Sequence, residues 1–480
     1  MDRLAEQVVQ TAQRGAALGQ ELSQLSHRKW HYDRAGRPTA MEDDRWGTTT
    51  YQYDPLGQLI EARRGGRSEV FEYDVTGSLQ NILSSLDQVG HIAPWRIEQG
   101  NVLTEKNGVR YENDRCCRRT KKVEPAETRG GPERTTTYHW DVRDRLREVG
   151  LADGRRVYYR YDAFARRVEK EIVTPLEGQL HEQLTRALSG EGAPPLQTET
   201  TTFLWDGDVL CAELRGDVSA ETPGVRVHVH EPGTFVPLLQ VEDGQAFTVV
   251  GDHLGMPKEL IDPQGRVAWA AAHSAWGKVV EAQRDSGTAE VESPFRLLGQ
   301  YHDEETGLCY TRHRYFDAET GRWCSPDPLG LAGGRNLAAF DGAPGSDVDP
   351  LGLACPAAQA KAQQGNEDYP GVDDWKNVII PKGTRLVMGE PGAAGFFTTP
   401  DAVASVGAGR RAVFEGLQVK RHETHGYRSR MGVYEFIADT PAATSTTSAN
   451  TGHGAGGLPQ FYVPDWQTNT ARLGEIPLGP

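Results

Sequence analysis

Residues 51–59 read Tyr-Gln-Tyr-Asp-Pro-Leu-Gly-Gln-Leu. Tyr51 and Tyr53 stand one residue apart, so on an extended strand their rings fall on the same sheet face. Asp54-Pro-Leu-Gly57 then supplies turn chemistry: Asp bonds nearby backbone, Pro fixes φ, and Gly accepts a positive φ. The nonapeptide therefore reads as a strand, a tight turn and the start of a return strand.

The same template, an aromatic pair, Asp, two or three residues, then Gly or a polar substitute, recurs through the first half of the chain. It appears as HYDRAGRP at His31, FEYDVTGSL at Phe71, YHWDVRDRL at Tyr138 and YRYDAFARRV at Tyr159. Degenerate copies follow at FLWDGDVL (203–210) and at GDHLGMPKELIDPQGRVAWAAAHSAWGKV (251–279). Neighbouring copies lie roughly twenty residues apart, a period that marks stacked supersecondary units. The expected fold is mainly β, a long ribbon of hairpins. Its tyrosines and aspartates build sheet and turns; they are not an active site.

At 480 residues the chain has room for two or three domains, and 37% hydrophobic with 25% charged residues suits a soluble globular protein. A formal charge of -15 argues against nonspecific binding of the whole molecule to nucleic acid or anionic membrane. No apolar run reaches the length of a bilayer span, and the polar N-terminus lacks a secretory core, so export would need a dedicated machine. Six scattered cysteines without CxxC spacing read as reduced thiols, with no metal site expected. Residues 1–29 are expected to carry a short packing helix, since Leu4, Val8, Leu18, Leu22 and Leu25 fall near one helical face. The repeats are assigned to residues 30–293.

Residues 294–353 read PFRLLGQYHDEETGLCYTRHRYFDAETGRWCSPDPLGLAGGRNLAAFDGAPGSDVDPLGL. Together with the tyrosine-aspartate repeats, this segment resembles the Rhs/YD-repeat polymorphic toxins. The matching positions include Gly299-Gln300, Asp303, Glu305 to Leu308, Tyr310, Arg314-Tyr315, Gly321-Arg322, Asp327 to Gly330 and Asp349 to Leu353. The resemblance implies that a β-shell is plugged by residues 294–353 and that the variable region beyond is a toxin. Such a shell also answers the edge problem of a long strand ribbon.

Asp327 in SPDPLGL and Asp349 in DVDPLGL occupy near-duplicate turns. Two carboxylates brought together can share one proton, one serving as base toward water and the other as acid toward a carbonyl. In isolation, Asp-Pro-x-Gly is ordinary turn sequence. The resemblance implies an aspartyl self-cleavage between Leu353 and Ala354, with Arg322 holding a carboxylate or polarising the scissile carbonyl. This chain departs from the family where an aromatic-rich stretch becomes Asn336-Leu-Ala-Ala-Phe340. Its repeat region is also short for such a shell, which is therefore expected to be partial, to pair with a second shell chain, or to be minimal.

Residues 354–370 (ACPAAQAKAQQGNEDYP) read as a linker, and residues 371–480 as a small α+β domain. Strands are expected at WKNVIIP, GTRLVMGE, AVFEGLQVKR, GVYEFIAD and LPQFYVPDW, with one helix at TPDAVASVG capped by Thr399. The paired HxE and PCxxC pattern of zinc deaminases is absent. The separated motifs GTRLVMGE, GFFTTP, HGYRSRMGVYEF and NTGHGAGGLPQFYVPDW resemble NAD-consuming toxins, either ADP-ribosyltransferases or NAD glycohydrolases. That resemblance implies NAD as substrate, held by Arg385, Phe397 and Thr398 with Tyr427 and Arg428 as supplements. Gln460 acts at the glycosidic bond, and Glu435 is the alternative carboxylate. Each has a plainer reading: Arg385 as an edge charge, Phe397 as core, the Gly-rich loop as a hairpin.

His422, His425 and His453 leave a histidine RNase as the alternative enzyme, and an adhesive shell is the non-enzymatic alternative. The resemblance further implies a cognate immunity protein, a secretion-system adaptor or spike of VgrG/PAAR or chaperone type, delivery into a target cell from a producing bacterial cytoplasm, and, for a transferase, a victim macromolecule.

Overall fold

The computed structural model describes every residue except 1–3, 13–21, 35, 76–77, 85–94, 129, 176–196, 218–222, 331–335, 341, 354–355, 357–359, 361–363, 365–372, 374, 391–394, 420, 422–425, 438–439, 450–453, 465 and 480. The chain divides into two compact units, residues 1–231 with 235–353, and residues 232–234 with 354–480. Each is described by itself.

The first unit is a meander in which each strand pairs antiparallel with its sequence neighbour. Seven strands from Glu6–Ala12 to Leu79–Ser84 form one sheet, and sixteen from Arg96–Glu98 to Val279–Gln283 form another. The expected N-terminal helix is instead two strands, Glu6–Ala12 and Leu22–Tyr32, paired from Glu6↔Lys29 to Ala12↔Leu22. Of the five residues behind that expectation, Leu4, Val8, Leu18 and Leu22 are even-numbered and fit a period of two as well as a helical face, while Leu25 fits only the latter; Leu18 lies outside the described residues. Val9 joins a core cluster while Val8 stays exposed, and pairing with the next strand decides the outcome.

The repeat turns share one hydrogen-bond design. At Asp54 the backbone N–H of Gln58 donates to the Asp carboxylate at 2.8 Å, while Asp54 N–H donates to the Gln58 carbonyl at 3.0 Å. The same carboxylate bond forms at Asp33, Asp74, Asp141, Asp162, Asp252 and Asp262, and also at Asp114, in a copy the sequence reading passed over. Where the residue four places on is Arg, its guanidinium clasps the second oxygen, as Arg166 does on Asp162 at 2.7 Å. The residue three places on takes a positive φ: Gly57 at 89°, but also Cys117 at 60°, Asp144 at 58° and Ala165 at 64°.

Residues 294–353 add a four-stranded sheet of Tyr301–Asp303, Leu308–Thr311, Arg314–Asp317 and Arg322–Trp323. Its rings pack on the repeat rings. Tyr301, Tyr310 and Tyr315 share a cluster with Tyr138, Tyr159 and Phe203, while Phe316, Trp323 and Phe340 share one with Leu59, Phe71 and Tyr111. Phe340, at the point of departure from the family pattern, thus fills a core position. Arg167 lies 4.4 Å from the Tyr310 ring centre and 2.5 Å from Asp303, a buried cation held by rings and a carboxylate.

The second unit has a four-stranded sheet, ordered Lys376–Ile380, Thr440–Thr446, Pro459–Tyr462 and Phe396–Phe397, and a three-stranded sheet, ordered Arg385–Glu390, Arg430–Phe436 and Thr470–Pro477. The helix Pro400–Ser405 starts at Thr399, whose hydroxyl accepts the N–H of Ala402. The expected strand at AVFEGLQVKR is mostly a helix, Arg410–Gly416, because Val413 and Phe414 with Leu417 make a helical stripe against the core. Part of the expected linker belongs to this domain: Ala360 is fully buried with Trp375, Ala443 and Tyr462. Among the described residues no helix is long and apolar enough to cross a membrane. Cys116, Cys117, Cys211, Cys309 and Cys324 are free thiols.

Candidate functional site

The two Asp-Pro-Leu-Gly turns meet at a single arginine. Arg314 begins the strand Arg314–Asp317 and is buried; its Nη2 lies 2.9 Å from Asp327 Oδ2 and 3.3 Å from Asp349 Oδ2. The same guanidinium donates to the carbonyls of Gly352, through Nε, and Leu337, and stacks 4.2 Å from the Trp323 ring centre.

Each aspartate is fixed by its own turn. Asp327 Oδ1 accepts the N–H of Leu329 at 2.8 Å, and its backbone N–H donates to the Leu337 carbonyl at 3.0 Å. Asp349 Oδ1 accepts the N–H of Leu353 at 2.9 Å. Gly299 makes room for the second turn: a Cβ there would stand 2.1 Å from the Pro350 carbonyl oxygen. Burial raises the Asp327 carboxyl above its ordinary range, against the opposing pull of Arg314 and the Leu329 N–H. A carboxylate reluctant to ionise thus sits beside a second one tied to the backbone of the expected scission point.

Arg322 does not take the role expected for it. Its guanidinium donates to the carbonyls of Asn101 and Leu79, fastening the plug sheet to the repeats, and burial with nearby Arg119 lowers it to about 10. Arg314 was legible only as a family match, because nothing in the linear spacing brings it to both aspartates.

In the second unit the candidate residues form two groups. Arg385 is exposed and pairs with Glu435 at 2.8 Å across neighbouring strands. By strand alternation it shares a face with Val387 and Gly389, where Tyr427 stacks on Phe414 and the Arg428 side chain lies over Gly389. Phe397 and Thr398 are interior instead. Phe397 packs edge-on against Tyr434 at 5.7 Å and Phe436 at 5.8 Å, and Thr398 donates to the Pro459 carbonyl at 2.6 Å. Neither is open to stack on or cradle a ligand as expected.

Gln460 lies in the other sheet, buried, with its Nε2 donating to Asp373 at 2.6 Å. Asp373, missed in the sequence because it falls in a loop before the first strand, also accepts from Gln364 at 2.8 Å and from the Ser448 N–H at 2.7 Å. His422, His425 and His453, the residues of the RNase alternative, lie outside the described residues.

A meander of Asp-closed hairpins, packed against an aromatic sheet that ends in a two-aspartate site, marks a YD-repeat protein followed by a C-terminal domain. Residues 32–70 match the RHS Repeat family model, 250–283 the RHS protein model, and 353–465 the Rhs1 C-terminal toxin domain. The chain belongs to the Rhs/YD-repeat polymorphic toxin family.

Toxin protein Tse5 of Pseudomonas aeruginosa is 31% identical over 374 residues, covering 68% of this chain and 27% of that protein. Double-stranded DNA deaminase toxin A of Burkholderia cenocepacia is 32% identical over 361 residues, 70% of this chain and 23% of its own length. The chain thus spans about a quarter of the length of the curated relatives it matches. The crystal structure of TcdB2-TccC3 without its hypervariable C-terminal region is similar at a TM-score of 0.50 and 18% identity, over 72% of this chain and 17% of that one, a likeness of fold.

Proposed function

We propose that this chain is a carrier that cuts itself after Leu353 and releases residues 354–480 as an NAD-consuming toxin. The observation that carries the cleavage reading is the meeting of Asp327 and Asp349 on Arg314, with Asp349 also holding the Leu353 N–H. Asp327, the carboxyl raised by burial, keeps the proton and donates it to the Leu353 carbonyl; Asp349 takes a proton from the attacking water. The tetrahedral centre then collapses: Asp327 takes back the hydroxyl proton as the Leu353 carbonyl reforms, Asp349 passes its proton to the Ala354 nitrogen, and Ala354 leaves as the free amine. Arg314 keeps the second carboxylate affordable in a buried site. Purified wild type should run as two fragments and Asp327→Asn or Asp349→Asn as one full-length chain; two fragments in both variants would refute the dyad.

The NAD reading is supported by two polar groups suited to a dinucleotide. Arg385 is an exposed cation for phosphate, with Glu435 as its exchangeable partner, and Gln460 is a late-strand amide held for work at the ribose. Transferase and glycohydrolase share loss of nicotinamide and differ in the acceptor. Incubating the processed chain with NAD separates them: nicotinamide release without bacterial extract indicates hydrolysis, and release only with extract indicates transfer to a macromolecule. No release in either condition would refute NAD chemistry and favour another cargo activity.

Production of such a domain inside its own cell calls for a cognate immunity protein, and use against neighbours calls for a secretion adaptor or spike and delivery into the target cell.

A further inference from the structure

We propose that Asp373 is a positioning residue that orients the Gln460 amide so that its Oε1 is the atom presented to the reacting ribose. The inference rests on the NAD reading above and adds to it the direction in which Gln460 works. A side-chain amide has a donor end and an acceptor end of nearly equal shape, and its orientation follows from its partners. Here the partner decides it. Asp373 Oδ2 lies 2.6 Å from Gln460 Nε2 and accepts from it, so the NH2 end faces Asp373.

Asp373 is itself held from three sides. Oδ2 also accepts from Gln364 Nε2 at 2.8 Å, and Oδ1 accepts the Ser448 N–H at 2.7 Å. The Gln364 side-chain oxygen Oε1 closes the arrangement by accepting the Asp373 N–H at 2.8 Å and Trp375 Nε1–H at 3.0 Å. Asp373 is 2% exposed and Gln460 5%, so water competes little for these bonds. The cluster joins Gln364, Asp373 and Trp375 to Ser448 and to the strand residue Gln460, which fixes the amide plane and gives the buried Asp373 a purpose beyond filling space.

An oxygen turned away from Asp373 suits the chemistry. Cleavage of the C1′–N bond sends the electron pair to nicotinamide and leaves positive charge on the ribose C1′ and ring oxygen. The negative end of the amide dipole stabilises that charge, whereas an NH2 turned the same way would oppose it. The same oxygen accepts an O–H from the incoming water or acceptor hydroxyl, whose oxygen bonds to C1′ and whose proton passes to solvent.

The test uses the full-length chain after self-cleavage, NAD as substrate, and nicotinamide release as readout. Asp373→Asn lets either end of Gln460 face it, and kcat should fall on the order of ten- to a hundredfold with KM unchanged. The double variant Asp373→Asn with Gln460→Glu restores a donor–acceptor pair in the reverse sense and again leaves an oxygen on the side away from position 373. Its kcat should exceed that of Asp373→Asn alone, a recovery that a purely structural Asp373 does not predict.

If Asp373→Asn fails to fold, the folded double variant decides: nicotinamide release supports the inference and silence overturns it. An active wild type with an unchanged Asp373→Asn overturns the inference and leaves the NAD reading standing. A wild type that releases no nicotinamide overturns both.

Discussion

The Asp349 carboxylate accepts the backbone N–H of Leu353 at 2.9 Å, closing its turn one residue before the proposed cut. The residue proposed to activate water is thereby anchored to the segment it attacks. Asp349→Asn keeps the shape and the hydrogen-bond acceptor but removes the base, so self-cleavage should stop while the fold survives. Gel analysis alongside thermal unfolding checks both halves of that statement.

Protonation of Asp327 sets the pH response. Burial raises its pKa, so the acid form persists to higher pH than in an unshifted aspartate and is lost as pH climbs further. Cleavage by freshly refolded chain should therefore slow as pH rises. A rate that is flat from mildly acidic to alkaline conditions would remove Asp327 from the acid role.

Arg314 contacts both aspartates and compensates the charge of Asp349 beside the Asp327 acid. Arg314→Met leaves the Asp349 carboxylate buried without its cation and should destabilise the first unit by about 3–5 kcal/mol. The loss should shrink in acid, where protonation removes that buried charge. Urea titrations at neutral and acidic pH measure both effects, and equal losses at the two pH values would show that the guanidinium acts through packing alone.

Turns were readable because their chemistry is local: Asp54 and Gly57 need only each other and Gln58 to define the hairpin. The N-terminal segment misled because most of its leucine and valine spacing serves both periods, and only pairing with Leu22–Tyr32 chooses between them. Helix Arg410–Gly416 hid behind β-favouring Val413 and Phe414, whose burial in one stripe is a tertiary fact. At the cleavage site both aspartates were legible from their duplicated turns. Their arginine was not, since Gly321-Arg322 stands nearer in sequence to Asp327 than Arg314 does, while the plug hairpin brings Arg314 inward and commits Arg322 to repeat carbonyls. In the cargo, Arg385 and Phe397 stand in strands of different sheets, a separation that the short motifs do not encode.

Asp317 fastens the plug to the repeats through Arg119 at 2.7 Å. Burial opposes its ionisation, but Arg119 and the more distant Lys122 and Lys106 outweigh that and lower its pKa from 3.8 to about 2. A depressed carboxyl contributes stability that is present above the unfolded value and lost as pH falls through the folded one. The contribution, about 2 kcal/mol, should vanish between pH 3.8 and about 2. Asp317→Asn should be less stable than wild type at neutral pH and should lose less on acidification, as followed by tryptophan fluorescence.

Ala165 occupies the left-handed position of its repeat turn at φ 64°, where Gly57, Gly255 and Gly265 stand in sister turns. An L-residue there costs about 1–2 kcal/mol, because Cβ crowds the following carbonyl. Glycine removes that strain but gives the unfolded chain more freedom, which returns roughly 0.5–1 kcal/mol. The hydrogen bonds that close the turn, Arg166 N–H to Asp162 and Arg166 Nε to Asp162, do not involve the Ala165 side chain. Ala165→Gly should therefore stabilise the first unit by about 0.5–1 kcal/mol, read as a higher denaturant midpoint at constant slope. Gly57→Ala should do the reverse, since φ is 89° there and a Cβ would stand 3.1 Å from Arg37. If the two substitutions shift the midpoint in the same direction, left-handed strain does not govern these turns.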